Sequence, residues 1–297
     1  MLKDRNVGLF VMTLKGLEVL KHIIDAHASS NISFVCIGKD SAVLNDYSND
    51  IISICKKNNI RFFTHKETLP LDELNYILAI AWRWLIDPGN YKIIVLHDSL
   101  LPRYRGFAPL VNALKNAESH IGVTALLASD KYDEGPIILQ ESIEIKYPIK
   151  IEEAIVRISE VYKSISISIL DMIAHDENMQ FCVQEESDAT YSLWLDAEDY
   201  HIDWSWDSDY IERFVNAVGF PYDGAKAFLQ NRMIKINEVE VINDLHIENR
   251  TPGKVVFFDN NLPVIVCGTG LVKLRNAVYY DDSVNIFPLS KFRLKFR

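Results

Sequence analysis

The sequence has few features of membrane proteins, metalloproteins or secreted proteins. It contains no apolar stretch that approaches the ~20 residues needed to cross a bilayer. Its four cysteines form no C-x-x-C pair and no cluster with histidine at zinc-binding spacing. We therefore expect a cytoplasmic protein, in a reducing environment, with no bound metal and no membrane insertion.

Positive charge is also scarce. The chain carries 31 Lys and Arg against 41 Asp and Glu, which gives a net charge of −10. Binding to a phosphate backbone depends on Lys and Arg, so this balance argues against a nucleic-acid partner. The turn at 12–16 does not read G-x-G-x-x-G, and a dinucleotide cofactor is therefore not supported.

Apolar runs alternate with helical periodicity in the first part of the chain. Strand-like runs at 7–12 and 32–38 flank a segment, 16–26, whose apolar residues repeat at helical spacing. Further strands are predicted at 76–81 and 93–96. This alternation predicts an α/β fold, with a Rossmann-like, mostly parallel sheet and helices on both faces.

Apolar residues at helical spacing predict a long helix at 151–175, and the composition changes after about position 185. The segment 188–207 is acidic and aromatic, and a helix is predicted at 210–218, capped by the turn at 207–209 that begins with Asp207. Short alternating runs follow from 226 onward and predict a small β-rich, barrel-like domain. We expect a catalytic domain at 1–185, a connecting segment with a helix at 186–225, and a β-rich domain at 226–297. The length of 297 residues suits such an arrangement.

The most informative stretch is the decapeptide HDSLLPRYRG at 97–106. His97 ends the apolar run 93–96, and Pro102 and Gly106 follow it in a turn-forming neighbourhood. Asp133, which comes later in the sequence DEGP, is an acid that could orient the imidazole ring. A histidine and an aspartate at the carboxyl edge of a parallel sheet predict a general acid–base site.

These residues resemble the folate-dependent formyltransferase family. Its signature combines Asn-x-His-x-Ser-Leu-Leu-Pro, Tyr-Arg-Gly and Asp-x-Gly, and this chain matches the histidine at His97, the following segments 99–102 and 104–106, and the aspartate at Asp133. It differs at Val95, where the family has an asparagine that hydrogen-bonds the formyl oxygen. Another donor could replace that amide: a backbone N–H, a water, Asn112 or Asn116. The enzyme could instead be slower, or the chain could bind without catalysing.

The resemblance implies roles for other residues. His97 would donate to the oxyanion, and Asp133 would orient the ring and accept a proton through water. Contacts to the co-substrate N10-formyltetrahydrofolate are implied for two segments: Trp82, Arg83, Trp84 and Leu85, and Leu127, Ala128, Ser129, Asp130 and Tyr132. Substrate contacts are implied for Lys15, Ser99, Arg105, Gly106 and Tyr222. For Arg105, a ligand phosphate or carboxylate and a surface salt bridge are equally open alternatives.

The resemblance also narrows the acceptor. Methionyl-tRNA formyltransferases carry a basic loop after the second strand, whereas 38–46 is short and not basic here. The sequence therefore favours an amino-sugar nucleotide, such as a dTDP-amino sugar used for O-antigen or lipopolysaccharide. The family resemblance also implies a homodimer. The alternatives are a methionyl-tRNA formyltransferase and a non-catalytic folate- or nucleotide-binding protein. Trp194, Trp204 and Trp206 are open to two roles, a base-stacking platform or packing between domains.

Overall fold

The structure, a computed structural model, describes residues 6–41, 43–175 and 179–297. The chain folds into two compact units. The first takes the described residues up to Leu110, together with those of Ser119–Ile145 and Glu153–Leu193. The second consists of Val111–Glu118, Lys146–Glu152 and Trp194–Arg297. The first unit thus continues beyond position 185.

In the described residues, five α-helices lie where apolar residues recur at helical spacing. They are α1 (Thr13–Asp25), α2 (Ser48–Lys57), α3 (Pro109–Lys115), α4 (Ile151–Ala174) and α5 (Ser208–Ala217). The Asp207 side chain accepts a hydrogen bond from the backbone N–H of Tyr210 at 2.7 Å, which confirms the predicted cap of α5. Short 3₁₀ helices lie at Ala28–Asn31, Leu71–Glu73, Glu186–Asp188 and Ala197–Tyr200. Across the described residues, no helix is both long and apolar enough to span a bilayer.

The first unit contains a seven-stranded mixed sheet in the order β3-β2-β1-β4-β5-β7-β8. The strands that the structure describes in this unit are β1 (Val7–Val11), β2 (Ile32–Ile37), β3 (Phe62–Thr64), β4 (Tyr76–Ile80), β5 (Lys92–His97), β6 (Arg105–Gly106), β7 (His120–Leu127), β8 (Ile137–Glu144) and β9 (Tyr191–Ser192). Strands β1 to β5 pair in parallel, whereas β7 runs antiparallel to both of its neighbours. The predicted fold class is confirmed, with β7 as the reversed strand.

Burial explains why these runs form strands. All five residues of β1 are buried, as are the last four of β4, because neighbouring strands flank both elements. The parallel strands β1, β4 and β5 end side by side at Val11, Ile80 and His97, so the residues that follow them share one edge of the sheet. A ligand site of an open α/β sheet lies at this carboxyl edge.

The second unit contains a five-stranded antiparallel sheet in the order β10-β11-β14-β13-β12. Its strands are β10 (Ala225–Leu229), β11 (Arg232–Ile242), β12 (Val255–Asp259), β13 (Leu262–Val266) and β14 (Leu271–Tyr279). Residues 294–297 hydrogen-bond both edge strands: Phe228 N–H donates to the carbonyl of Arg297 at 2.6 Å, and Val255 N–H to that of Leu294 at 3.1 Å. This closing segment accounts for the barrel-like character predicted for the region.

The tryptophans of the aromatic segment pack within the second unit. Trp204 is buried against Phe296, and Trp206 contacts the rings of Tyr210 and Phe214. Trp194 is exposed, and its indole N–H donates to Asp196. Trp204 and Trp206 therefore serve the core of this unit.

Candidate active site

His97 and Asp133 meet at the carboxyl edge of the first sheet. His97 is the last residue of β5, and Asp133 lies in the loop between β7 and β8. The imidazole Nε2 is 2.8 Å from the carbonyl oxygen of Tyr104, and Nδ1 is 3.5 Å from Asp133 Oδ1. Only 8% of the His97 side chain is exposed, so this pair operates largely away from bulk water.

Asp133 is held in an unusual backbone conformation. Its φ is +56°, in the left-handed region that non-glycine residues seldom adopt. Its Oδ2 accepts a hydrogen bond from the backbone N–H of Gly106 at 2.8 Å. Gly106 has a φ of +98°, and a Cβ there would lie 2.6 Å from the carbonyl oxygen of Ser192. Gly106, predicted to contact substrate, thus uses its N–H to hold Asp133.

The two ring nitrogens of His97 have different roles. The Tyr104 carbonyl accepts from Nε2 and fixes the plane of the imidazole ring. The distance of 3.5 Å between Nδ1 and Oδ1 is too long for a good hydrogen bond, and such contacts tighten when a reactant binds. Nδ1 and Oδ1 are therefore the atoms placed to exchange protons with a bound group.

The bend after β5 is fixed by its own hydrogen bonds. Ser99 is buried, and its hydroxyl donates to the carbonyl of Arg103 at 2.7 Å. The Thr124 hydroxyl donates to the Ser99 carbonyl at 2.6 Å and accepts from Leu101 N–H. Ser99 thus uses its hydroxyl inside the bend, and its contact with substrate stays a prediction.

A second buried charge pair lies directly beside His97. The Asp98 carboxylate pairs with the Lys15 ammonium and accepts from the Tyr162 hydroxyl. Burial raises the pKa of Asp98, but Lys15, Tyr162 and His97 together hold that pKa below its usual value. Burial and the Asp98 charge raise the pKa of Tyr162 well above its ordinary value. Lys15, predicted to contact substrate, is occupied by Asp98.

Arg105 is buried, with 1% of its side chain exposed, and it forms a salt bridge with Glu186, whose side chain is 70% exposed. Its guanidinium donates to Gln184 Oε1 at 3.0 Å, to Glu186 Oε2 at 2.8 Å and to the Tyr191 hydroxyl at 3.2 Å. The Arg105 hydrogen bond lowers the pKa of the Glu186 carboxyl. Protein groups therefore occupy the side that was predicted to meet a ligand anion.

Three aromatic side chains form what we call the aromatic wall: His65, Trp82 and Trp84. The His65 and Trp84 rings stack at 4.2 Å with 9° between their planes, and Trp82 meets Trp84 edge-on at 5.0 Å. His65 Nδ1 and Trp82 Nε1 are buried without a hydrogen-bond partner in the described structure. A flat aromatic ligand would suit this surface, because it would stack on it.

The other residues implied for donor binding are more exposed. Arg83 ion-pairs with Asp40 at 2.6 Å, and 79% of Leu85 is exposed. Leu127 ends β7, and the N–H of Ala128 donates to Ile93. In the loop that follows, Ser129 and Asp130 are exposed, and the Tyr132 ring lies 6.0 Å from that of Phe107.

The position of the missing asparagine is filled by packing. Val95 is half-buried among the apolar side chains around Phe10 and Ala79. Asn112 and Asn116, the candidate replacement donors, belong to the second unit. Tyr222, for which a substrate contact was implied, belongs to the same unit, and its backbone N–H donates to the carbonyl of Gly219. No group of three or more His, Cys, Asp or Glu side chains suited to a metal was found in the part of the chain that the structure describes.

Several site residues were not predicted from the sequence. Tyr162 and Gln184 have no local motif that marks them, since each reaches the site through long-range packing. Tyr104 lies in the matched segment 104–106, but the motif does not indicate that its carbonyl binds His97 Nε2. His65 carried a weak signal, because it directly follows β3 at the same edge of the sheet.

Comparisons with known proteins identify relatives of the chain. The Formyl transferase family matches residues 76–170, and the family of the formyl transferase C-terminal domain matches 195–278. The methionyl-tRNA formyltransferase of Ehrlichia canis is 30% identical over 216 residues, which cover 68% of this chain and 69% of that protein. Alignments with other curated methionyl-tRNA formyltransferases span between 57% and 81% of their lengths.

Solved structures share the fold of the chain. WlaRD, a sugar 3N-formyl transferase solved with dTDP and 5-N-formyl-THF, has a TM-score of 0.68 at 19% identity, over 91% of this chain and 97% of that one. The N-formyltransferase from Helicobacter canadensis, solved with folinic acid and dTDP-3-aminofucose, has a TM-score of 0.69 at 17% identity, over 91% and 98% of the two chains. The chain belongs to the folate-dependent formyltransferase family and is an enzyme of formyl transfer.

Proposed function

We propose that this enzyme transfers a formyl group from N10-formyltetrahydrofolate to the amine of a nucleotide-linked amino sugar. The observation that carries the chemistry is the pair formed by His97 and Asp133, with Nδ1 and Oδ1 at 3.5 Å. The first compact unit supplies this pair, and we propose that it is the catalytic domain.

The reaction makes two demands that these residues meet. When the amine adds to the formyl carbon, a C–N bond forms, negative charge collects on the formyl oxygen, and the nitrogen must lose a proton. His97, fixed through Nε2, donates from Nδ1 to that oxygen when its ring carries both protons. Asp133 accepts the amine proton, directly or through water, and N10 of the donor gains a proton when its bond to the formyl carbon breaks.

The aromatic wall supports a folate donor. N10-formyltetrahydrofolate carries a flat pterin with ring nitrogens and an amino group, and it supplies the formyl carbon. Trp84 and His65 offer a stacked aromatic surface, against which a flat pterin would pack. Val95 provides no amide donor, so we propose that His97 is the main donor to the formyl oxygen.

The sugar acceptor is favoured by local charge and by the structural relatives. The segment after β2 carries the carboxylates of Asp40 and Asp46, which would repel the phosphates of a tRNA acceptor. Both structural relatives share the fold. WlaRD is described as a sugar 3N-formyl transferase and the Helicobacter canadensis protein as an N-formyltransferase in complex with dTDP-3-aminofucose. A role in making surface-glycan precursors and a homodimeric assembly remain expectations from the family resemblance.

A methionyl-tRNA acceptor is the second candidate, and one observation favours it. Residues 291–297, KFRLKFR, contain four basic residues and no acidic one, and all four are exposed. This strip contrasts with the net charge of −10 for the whole chain. The curated relatives reported above also act on methionyl-tRNA by name.

A formylation assay tests the proposal. The enzyme is incubated with N10-formyltetrahydrofolate and a panel of dTDP-, UDP- and GDP-linked amino sugars, and in parallel with methionyl-tRNA. Tetrahydrofolate release is followed by absorbance, and the formylated product by mass spectrometry. We expect a product with one amino sugar and a loss of about 10²- to 10⁴-fold in kcat for His97→Asn and for Asp133→Asn.

The control variants are His120→Asn and Glu144→Gln. These residues form an exposed cross-strand pair on β7 and β8, and the two substitutions make similar chemical changes outside the site, so kcat should not change. Turnover on methionyl-tRNA alone would support the second candidate function, in which methionyl-tRNA is the acceptor. Folate binding without turnover on either acceptor would contradict the proposal and leave a binding protein.

A further inference from the structure

We infer that Gln184 is a positioning residue that holds Asp133 in its working conformation. Gln184 lies in the segment 182–192, between the two ranges, 76–170 and 195–278, that match the family. Neither match therefore assigns this segment a role. The inference rests on the proposed function, because it concerns the placement of the carboxylate that we propose as proton acceptor.

The Gln184 carboxamide uses both of its ends. Nε2 donates to the backbone carbonyl of Asp133 at 2.7 Å and to that of Gly135 at 2.7 Å. Oε1 accepts from Arg105 Nε at 3.0 Å. Only a carboxamide can donate two hydrogen bonds on one side and accept on the other at this position. Glutamate would lose the donors, and leucine would lose all three bonds.

Arg105 fixes the orientation of this carboxamide. The buried guanidinium is anchored to Glu186 at 2.8 Å and to the Tyr191 hydroxyl at 3.2 Å. The backbone N–H of Arg105 donates to the carbonyl of Thr190 at 2.8 Å, as part of the pairing of β6 with β9. The segment after α4 is thus joined to the bend after β5 through both backbone and side chain.

Asp133 is consequently held from two directions. Gly106, the neighbour of Arg105, donates to its carboxylate, and Gln184 donates to its carbonyl. Ile137 and Cys182 exchange two backbone hydrogen bonds, at 2.8 and 2.9 Å, and secure the end of the loop. A left-handed φ at an aspartate persists only where the surroundings impose it, and these bonds supply that constraint.

At Gly135 the loop that carries Asp133 packs closely against the end of β7. A Cβ on Gly135 would lie 1.7 Å from the carbonyl oxygen of Leu127, so the chain passes with no room for a side chain. Gln184 binds the Gly135 carbonyl at this narrow turn. Loss of the bond would free the turn and shift Oδ1 of Asp133 relative to His97.

The test compares Gln184→Leu and Gln184→Glu with the wild-type enzyme. Both remove the donors to the two carbonyls, and Gln184→Glu keeps an acceptor for Arg105, so it serves if the leucine variant fails to fold. We expect kcat to fall roughly 10- to 100-fold, since a displacement on the scale of 1 Å costs about 10²-fold. KM for donor and acceptor should stay within about threefold, because uniform binding is untouched.

A double variant distinguishes positioning from a general structural effect. If Gln184 acts through Asp133, Gln184→Leu should cause no further loss of kcat in an Asp133→Asn background. Ser187→Ala, in the same segment and exposed, is the matched control and should leave kcat unchanged. The inference would be overturned if the losses of kcat from Gln184→Leu and Asp133→Asn multiplied in the double variant. It would also be overturned if Gln184→Leu and Gln184→Glu both kept the wild-type kcat. Full activity of Asp133→Asn alone would instead refute the proposed function.

Discussion

Buried charges occur in both compact units but in different places. In the first unit they lie where strands end: Lys15 and Asp98 pair beside His97, and Arg105 sits in the bend after β5. In the second unit Lys273 lies within β14, where its ammonium binds Asp259 at the end of β12 and a carboxylate on β11.

This difference separates two uses of a buried ion. A charge at a strand end fixes a loop, and here the loops carry His97 and Asp133. A charge within a strand joins strands of one sheet, as Lys273 on β14 does with the adjacent β11 and with the end of β12, two strands away. Removing the first kind should affect both catalysis and stability, whereas removing the second should affect stability alone.

The largest effect on stability is expected for Asp98→Asn. This change leaves the buried Lys15 ammonium without its carboxylate, and breaking a buried pair costs about 3–5 kcal/mol. We also expect kcat to fall, because Asp98 adjoins His97. The free energy of unfolding from urea titration and kcat provide the measurements. Tyr162→Phe, which removes one hydrogen bond and no charge, should cost about 1 kcal/mol.

The same pair gives a pH dependence with a defined sign. The folded-state pKa of Asp98 lies below its usual value, so its contribution is complete above the unfolded pKa of about 3.9 and is lost as the pH falls through the folded value. The difference in unfolding free energy between wild type and Asp98→Asn should therefore be constant from about pH 7 to about pH 5 and shrink in more acidic buffer. A difference that persists unchanged into strong acid would contradict this assignment.

A smaller effect is expected for Lys273→Met. The partners Glu240 and Asp259 have 38% and 40% of their side chains exposed, so water and salt screen the charge that is left behind. We expect a loss of about 1 kcal/mol in unfolding free energy and no change in kcat. A loss of kcat comparable to that of Asp98→Asn would break the distinction between strand-end and mid-strand charges.

The smallest effect concerns the cysteines. Burial raises the pKa of Cys36 to about 12, that of Cys55 to about 11 and that of Cys267 to about 12, whereas Cys182 is exposed. At about pH 8 the three buried thiols hold almost no thiolate. A thiol reagent should therefore modify one cysteine in the folded enzyme and four after denaturation. Rapid labelling of a second cysteine would show that one of the units opens.

The sequence was sufficient to predict the elements that depend on local pattern. The buried runs of β1 and β4, the helical spacing of α4 and the cap at Asp207 are all properties of consecutive residues. The motif around His97 and the DEGP turn predicted the pair that the structure brings together. These features required no knowledge of which distant segments meet.

The remaining features depend on long-range pairing. The reversed direction of β7 follows from its partners on either side, and the two-residue strands β6 and β9 are too short to carry a period. The resemblance implied a substrate contact for Lys15 and left a ligand anion and a salt bridge open for Arg105, but a sequence does not show which partner a charge meets. The partners, Asp98 and Glu186, are 83 and 81 residues away.

The link between Arg105 and Gln184 has a consequence in time. The two residues are 79 positions apart, and Gln184 follows Asp133 by 51. As the chain emerges from the ribosome, His97 and Asp133 appear well before the segment that joins them. A nascent chain that has been made only to the end of α4 already carries both residues and the Gly106 N–H that binds Asp133, but not Gln184. The bond from Gln184 to the Asp133 loop can therefore form only after the whole sheet that bears the site has been synthesised.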